Sequence, residues 1–536
     1  MHWSPLRVFV ATSILLLAAV ATLALWWPPI LWSLVVLAPI VALGTWDALQ
    51  TRHAVLRNFP LIGHFRYLLE LVRPEIQQYF IESDTDGRPF SREIRSLVYQ
   101  RAKGTLDTRP FGTVHDLYED HEELIAHSIA AKEPPQDEPR VAIGEGRCKL
   151  PYRASVLNIS AMSFGSLGRA AILALNGGAK LGGFYHNTGE GGLSPHHLAP
   201  GGDLVWQIGT GYFGCRTKDG GFDPEKFAAR AAQEQVRMIE VKLSQGAKPG
   251  HGGILPGRKV TAEIAAIRDV EIGKDVISPP AHRAFRTPLE MVRFLAELRR
   301  LSGGKPVGFK LCMGLPREFM GICRAAVESG EIFDFVTVDG AEGGTGAAPL
   351  EFSNFVGAPL TEGLLLVHNI LVGTGLRDRV RVICSGKVAT GFDIVRRIAI
   401  GADLCNAARP MMFALGCIQA LRCNTNRCPV GVATQDPLLE RGLDVADKRV
   451  RVFRYQRSTV HAAMEILGAA GLSHFDELRP EHVFRRVSPT RIATYAEVFD
   501  YLRDGDLLRN EFGARDDDEY DALLRREWSL ARADRF

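Results

Sequence analysis

Beyond residue 150 the chain alternates between short β-rich runs and helical segments, and this alternation restricts the possible fold more than any other feature. The runs cover 156–161, 184–187, 238–243, 276–278, 307–311, 335–338, 380–384 and 404–407. Their apolar, β-branched character is that of strands buried on both faces. Eight such strands predict an α/β protein built on a (β/α)8 barrel of the TIM type, with its chemistry at the C-terminal ends of the strands. A doubly wound open sheet is the alternative, and it is disfavoured because no glycine fingerprint opens the first βα unit. Residues 189–221 read as one long glycine-rich loop over the barrel mouth.

The first fifty residues follow a different pattern. Residues 8–27 carry no charge, and after Pro28 and Pro29 a second apolar run covers 30–46 with Pro39 inside it. Both approach the length needed to cross a bilayer. A signal peptide would have a shorter apolar core, a small-x-small cleavage site and no second apolar run, so 1–50 reads as a transmembrane hairpin. Arg7 precedes the pair, and Arg52 and Arg57 follow it. The positive-inside rule then places both ends and the catalytic domain on the cytoplasmic face of the inner membrane, with Trp26, Trp27, Trp32 and Trp46 as interfacial anchors.

Residues 51–140 are expected to be a helical lead-in, because Leu68, Leu69, Leu71, Val72, Ile76, Tyr79 and Phe80 recur at helical spacing. A proline-rich loop at 132–139 ends it. The barrel is expected over 141–440, followed by a charged helical extension over 441–536, with helices at 447–467 and 495–508. The acidic run Asp516, Asp517, Asp518 and Glu519 reads as a solvated face.

Sixty-four Lys and Arg stand against 61 Asp and Glu, a net charge of +3. This is too small for a nucleic-acid footprint, and no nucleic-acid partner is expected. The nine cysteines of a largely cytoplasmic chain should be thiols or metal ligands. Cys417, Cys423 and Cys428 stand apart as a C-x5-C-x4-C run closed by Pro429. A structural zinc would need a fourth ligand, and no histidine lies between them, whereas iron can use three thiolates in a cluster lacking one corner. A 3Fe-4S centre is favoured, with three buried free thiols as the plain alternative.

Nearly every strand end opens into a polar or glycine-rich turn: Ser163-Phe164-Gly165, Thr188-Gly189-Glu190-Gly191-Gly192, Ser244-Gln245-Gly246-Ala247-Lys248, Asp339-Gly340 onward, and Ser385-Gly386-Lys387. Loops after strands seven and eight of such barrels commonly hold a phosphate, which makes Gly386, Lys387, Ala408 and Arg409 its candidates. Singly, each loop is an ordinary tight turn. Five on one rim point to a ligand.

Several of these runs form a recognisable set: Ile159-Ser160-Ala161-Met162-Ser163-Phe164-Gly165, Asn187-Thr188-Gly189-Glu190-Gly191-Gly192, Gln245-Gly246-Ala247-Lys248-Pro249-Gly250, Ile277-Ser278-Pro279-Pro280 and Cys428-Pro429-Val430-Gly431-Val432-Ala433-Thr434-Gln435. In order and spacing the chain resembles the synthase domain of glutamate synthases over about 150–440, and within it the stand-alone FMN-binding glutamate synthase family. The resemblance implies an FMN-binding barrel with a 3Fe-4S cluster on Cys417, Cys423 and Cys428. Ala161, Met162, Ser163, Lys310, Asp339, Gly343, Gly344 and Ser385 would join the four phosphate candidates around the cofactor. It also implies that electrons pass from an external donor through the cluster to FMN, and then as hydride to an imine of 2-oxoglutarate and ammonia. By motif, Lys248 and Glu190 line the substrate face, and Arg268 pairs with the substrate carboxylate, a role suited to a planar guanidinium. Each of these groups, and Lys310, could instead be a rim ion pair.

Two departures bear on the substrate. Where the large enzymes read Lys-Pro-Gly-Glu-Gly-Gly-Gln, this chain reads Lys248-Pro249-Gly250-His251-Gly252-Gly253-Ile254. His251 is then a candidate acid or base, or a satisfied loop histidine, and Ile254 forfeits an amide's hydrogen bonds. The chain begins Met1-His2-Trp3 and so offers no N-terminal cysteine for a glutaminase, which makes free ammonia or a delivered amine the expected nitrogen source. No strand-bound G-x-G-x-x-G is found, so reducing power is expected from ferredoxin, a reductase subunit or quinone. Three functions follow: reductive amination of a 2-oxo acid, a quinone-linked flavoprotein acting on another carboxylate or amine, and a non-catalytic redox sensor or scaffold.

Overall fold

The computed structural model describes residues 4–509 and 519–536. Met1, His2 and Trp3, and the acidic run at 516–518, lie outside the described residues. Two compact units divide the chain, Met1–Arg92 and Glu93–Phe536.

The larger unit contains a closed barrel of eight parallel strands. In chain order they are β1 (Leu157–Ile159), β2 (His186–Asn187), β3 (Leu204–Ile208), β4 (Val236–Lys242), β5 (Val307–Leu311), β6 (Phe335–Asp339), β7 (Arg381–Ser385) and β8 (Leu404–Ala407). Closure runs through Cys405 of β8 beside Leu157 of β1. A helix follows each strand, and several begin where the sequence supplies a cap. Thr287 accepts from Glu290 N at 3.1 Å ahead of the helix Pro288–Leu301, and Thr390 and Asp393 form a reciprocal box ahead of Gly391–Ala399.

Seven of the eight expected runs are barrel strands, and one assignment is corrected. Val276–Ile277 lies outside the barrel, paired antiparallel with Ile254–Leu255. The missing strand is β3, inside the segment expected to be a continuous loop at 189–221. Ser278, Pro279 and Pro280 give the reason: the prolines come one residue after Val276–Ile277 and cannot donate to a central ladder. The C-terminal extension also differs from an all-helical one. Val445–Ala469 is one long helix, but Val483–Ser488, Arg491–Thr494 and Glu123–Ile125 form a three-stranded sheet, and helix covers only Tyr495–Val498 of 495–508.

Strand periodicity sorts the barrel interior into layers. At the N-terminal mouth, a hairpin of Arg140–Ile143 and Tyr152–Ser155 inserts Ile143, Tyr152 and Ala154 against Tyr185, Val205, Met238, Phe335, Ile383 and Leu404. Each large apolar side chain buried there contributes about 1.5–3 kcal/mol. Above it lies a polar layer centred on Glu240, which is 1% exposed. Its carboxylate accepts from Asn187 Nδ2 at 2.8 Å, Gln207 Nε2 at 2.6 Å and Thr337 Oγ1 at 2.6 Å, linking β2, β3, β4 and β6. Beside it Gly308 leaves no room for a side chain, because a Cβ there would fall 2.1 Å from Phe335 O.

The smaller unit holds the helix Pro5–Ala24 and a continuous apolar stretch Pro28–Leu49, with mean hydropathies of 2.2 and 1.9. Both are long and apolar enough to cross a membrane. Thr22 and Thr45 donate back to Ala18 O and Val41 O, so these hydroxyls are satisfied within their own helices. The helix Gly63–Ile76 follows, continued by a π turn at Gln77–Ile81.

The polar layer yields a stability prediction. Glu240→Leu leaves three buried donors without their acceptor, at about 1–3 kcal/mol each, and is expected to lower the unfolding free energy by about 3 kcal/mol or more. Urea denaturation of the variant against the parent checks it: an unchanged midpoint would remove Glu240 as the organising group of the layer.

Candidate functional site

All eight strands end on one rim, where the loops enclose an open cleft of about 880 Å³. Its walls include Ala161, Met162 and Ser163 after β1, Glu190 after β2, Lys242 at the end of β4 and Lys248 in the following loop. Gly344, Thr345, Ala408, Arg409 and Cys423 line it too.

Glu190 is the electrostatic centre of one group. Lys242 Nζ lies 2.7 Å from Glu190 Oε1. Burial alone would raise the Glu190 carboxyl, but Lys242, helped by Lys248 and Arg268, outweighs it and holds Glu190 below the ordinary carboxylate range. Gly209 and Gly253 press against this carboxylate, since a Cβ on either would fall 2.5 or 2.6 Å from its oxygens. Lys248 is 3% exposed. Burial pushes its ammonium down to about 8, with Glu190 pulling the other way. Lys242 and Gln207 were not singled out by sequence reasoning. Lys242 ends β4 and is legible as a rim lysine, whereas Gln207 lies on β3, which the glycine-rich segment 189–221 conceals.

Arg268 ends the helix Ala262–Arg268 and does not line the cleft. Its Nη2 lies against Gly165 and Gly191, where an added Cβ would fall 3.1 and 2.6 Å from it. Nη2 donates to Phe164 O at 3.0 Å, the guanidinium lies 5.2 Å from the Phe213 ring centroid, and Nε is buried without a partner. Burial pushes Arg268 down to about 10, so it remains charged at neutral pH. His251 is also outside the wall: its Nδ1 donates to Gly252 O at 2.9 Å and its ring meets Phe352 edge-on at 5.2 Å. Ile254, three residues on, does line the cleft.

Lys310 and Asp339 form a buried pair at 3.2 Å, and Asp339 Oδ2 also accepts from Gly246 N at 2.9 Å. Gly343 packs on that carboxylate, with a built Cβ 3.1 Å from Asp339 Oδ1. Ser385 Oγ lies 3.3 Å from Ser160 Oγ. The turn after β7 places Gly386 at φ +148° and Lys387 at φ +51°, a left-handed path rare for a non-glycine residue.

Arg409 joins the rim to the cysteine loop. Nη2 donates to Thr345 O, and Nη1 lies 3.5 Å from Cys423 Sγ. Lys259, missed in the sequence because nothing in its spacing marks it, is 2% exposed and donates to Ser166 O at 2.8 Å and Ala433 O at 3.0 Å. Burial pushes it down to about 8, while Cys423 and Cys428 pull it upward. Burial likewise pushes the Cys417 thiol up to about 11. The three cysteines share one loop beside two cations, a donor set suited to an iron-sulfur centre. Among the described residues, however, no three His, Cys, Asp or Glu side chains are gathered as a ready metal cage. Thiolates repel one another until a cation binds, so metal binding and local order are coupled.

The conserved region in glutamate synthase matches residues 115–473. The glutamate synthase large subunit-like protein YerD of Bacillus subtilis (strain 168) is 39% identical over 82% of this chain and 91% of its own length. An archaeal glutamate synthase (NADPH) of Methanocaldococcus jannaschii is 37% identical over 60% of each chain. The chloroplastic ferredoxin-dependent glutamate synthase of Spinacia oleracea is 31% identical over 73% of this chain, which spans 24% of that protein.

The depressed Lys248 amine can be measured directly. Below about pH 8 it is an ammonium able to pair with a carboxylate, and above it is neutral. Competitive acetylation followed by peptide mass spectrometry should show Lys248 reactivity rising with a midpoint near 8, while exposed lysines titrate at about 10.4. A Lys248 midpoint matching the exposed lysines would contradict its burial.

Proposed function

Because the chain belongs to the glutamate synthase family, we propose that this oxidoreductase binds FMN in the rim cleft and reductively aminates a 2-oxo acid with ammonia, glutamate from 2-oxoglutarate being the family default. The observation that carries this reading is the placement of the Glu190, Lys242 and Lys248 cluster in the same cleft as the Arg409 to Cys423 contact. Substrate-binding charge and a redox-competent thiol loop then share one cavity.

The residues that line the cleft fit the cofactor, while Lys310, Asp339, Gly343, Ser385, Gly386 and Lys387 stand on the rim outside the cleft wall. Ala161, Met162 and Ser163 offer backbone along one wall, and Gly344, Ala408 and Arg409 line another. The left-handed turn at Gly386 and Lys387, with Arg409, would hold the phosphate. Lys310 beside Asp339, with Ser385, would border the ring system. When bound, FMN supplies hydride transfer.

The chain's own groups bind and orient. Lys248 pairs with the substrate carboxylate, and Glu190, kept ionised by Lys242, is placed to bind the incoming ammonium by charge. Ile254, Leu255 and Pro256 exclude water on that side. The reaction balances as one 2-oxo acid, one ammonium, two electrons and two protons giving one amino acid and one water. Cys417, Cys423 and Cys428 would hold a 3Fe-4S cluster through which an external donor, ferredoxin or a reductase subunit, delivers the electrons. The two apolar helices of the smaller unit would tether the protein to the inner membrane with the barrel in the cytoplasm. They also support the second reading, in which a membrane quinone is the redox partner and the substrate is another carboxylate or amine.

Purified without air in detergent, the full chain should be yellow-brown and contain FMN and iron. Cys423→Ser should lose most of the iron signal, and a 2-oxo acid with ammonium should reoxidise the reduced flavin. Reoxidation by quinone alone would transfer the assignment to the second reading, and a colourless, metal-free protein would end both. Membranes washed in alkaline carbonate should retain the chain in the pellet; release into the supernatant would rule out the tether.

A further inference from the structure

The helix Gly63–Ile76 is amphipathic, and its faces are reversed from those of a helix packed on a protein in water. Phe65, Leu68, Leu69 and Ile76 recur at helical spacing along one face and are exposed, as are Phe80 and Ile81 in the π turn that continues it. The face that packs on the rest of the smaller unit is the polar one. His64 Nε2 donates to Asp47 Oδ1 at 2.9 Å, and Tyr67 meets the His53 ring edge-on at 5.6 Å. Gly63 lets the first turn press on Leu56, where a Cβ would fall 2.9 Å away. A helix surrounded by water buries its apolar stripe, and a contiguous exposed stripe of this kind marks a surface that meets something apolar.

The place of the helix says what that is. Asp47 is 1% exposed, lies in the last turn of Pro28–Leu49, and also accepts from Leu61 N at 3.0 Å. Gly44, one turn earlier, lies against both Phe9 of the helix Pro5–Ala24 and Leu61: a Cβ on it would collide with the Phe9 ring and fall 3.1 Å from Leu61 Cγ. The start of Gly63–Ile76 is therefore pinned where the ends of the two apolar helices meet. Pro28–Leu49 has 22 residues, enough to cross a hydrocarbon core of about 30 Å, so its last turn emerges at the boundary between lipid and water. Residues 51–81 carry four arginines against two glutamates, and Arg66 and Arg73 line one groove with Phe65, Leu69 and Ile76. Guanidinium groups at the edge of an apolar face suit lipid phosphates, with their stems covering apolar surface.

Resting on the tether reading above, we propose that residues 63–81 form an interfacial segment lying in the plane of the membrane, its apolar face among the acyl chains of the cytoplasmic leaflet and Arg66 and Arg73 at anionic lipid headgroups. Lipid is the occupant because the helix start is fixed to the ends of the spanning segments, at the depth where acyl chains meet headgroups. The membrane contact then extends beyond the two spans.

The test uses the full chain in nanodiscs of phosphatidylcholine and phosphatidylglycerol, doped with a phosphatidylcholine that carries a diazirine on its acyl chain, followed by irradiation and peptide mass spectrometry. Label is expected in 5–49 and also on Phe65, Leu69, Ile76 and Phe80, with His64 and Tyr67 spared. Phe65→Glu combined with Leu69→Glu alters only the outer face and keeps the contact between His64 and Asp47; it should lower the label in 63–81 about threefold or more without changing that in 5–49. In nanodiscs of phosphatidylcholine alone the label in 63–81 should also fall, and an equal yield there overturns the assignment of Arg66 and Arg73 to anionic headgroups. Label in 5–49 but none in 63–81, the result if a second copy or a partner protein covers this face, overturns the inference and leaves the tether standing. A yield in 63–81 that the double variant leaves unchanged overturns it as well. Label in neither segment overturns the tether and the inference together.

Discussion

Closure of the sheet from β8 onto β1 forces eight parallel strands to end on one rim, and the rest of the molecule follows from that geometry. Parallel strands need a crossover after every strand, so the helices lie outside and the connecting loops collect at one mouth. The two-residue period of each strand then sends alternate side chains inward. On β4 this puts Met238 in the apolar plug, Glu240 in the polar layer and Lys242 at the rim. A one-residue slip would exchange this whole column for Arg237, Ile239 and Val241. Glu240 opposes such a slip, because its three donors come from three other strands.

The rim inherits a charge problem from the same geometry. Strand ends bring Lys242, Lys310 and Asp339 to one mouth, and adjacent loops add Glu190, Lys248 and Arg409. Most are neutralised locally: Lys242 by Glu190, and Lys310 by Asp339. Such pairs, largely shielded from water, gain more from their attraction than exposed pairs do, but removing one partner leaves a costly uncompensated charge. This local pairing is what isolates Lys248. Its ammonium feels Glu190 at a distance, yet Glu190 is already bound to Lys242, so burial dominates and the proton is held weakly.

The barrel was legible in the sequence because buried parallel strands are nearly continuous apolar runs, and seven of them stood out between helices. Leu204–Ile208 was hidden by its flanks: Gly201 and Gly202 precede it and Gly209 and Gly211 follow, so a five-residue strand read as part of a flexible loop. Val276–Ile277 has equal β character, and only the prolines after it mark it as lying outside a central ladder. The site was legible where residues sit at strand ends or in glycine-rich turns, as with Ser163, Glu190, Lys248 and Asp339. What the sequence could not display was pairing. That Lys310 faces Asp339, that Lys242 takes Glu190, and that Arg268 lies against two glycines depend on register and on the insertion after β4, which folds back as an antiparallel strand pair and a short helix. No local pattern encodes those distances.

The cysteine loop shows how a fold can hold an irregular segment in a defined shape. Gln419, Leu421 and Asn426 all adopt left-handed backbone conformations, which cost about 1–3 kcal/mol each when the residue is not glycine. The loop keeps them because its ends are fixed by contacts that involve no sulfur. Tyr99 donates to Cys417 O at 2.6 Å, Asn426 Oδ1 accepts from Gln435 N at 2.7 Å, and Thr434 Oγ1 donates to Asn426 O at 2.7 Å. Lys259 ties Ala433 to Ser166 across the cleft edge, and Arg409 reaches Cys423 from the other side. The backbone is therefore shaped without help from the sulfurs, and two cations, Lys259 and Arg409, stand beside them. The strain at Gln419, Leu421 and Asn426 is thus carried by contacts spread over the helix holding Tyr99, the segment 433–435 and the cleft edge, and not by any bond between the cysteines.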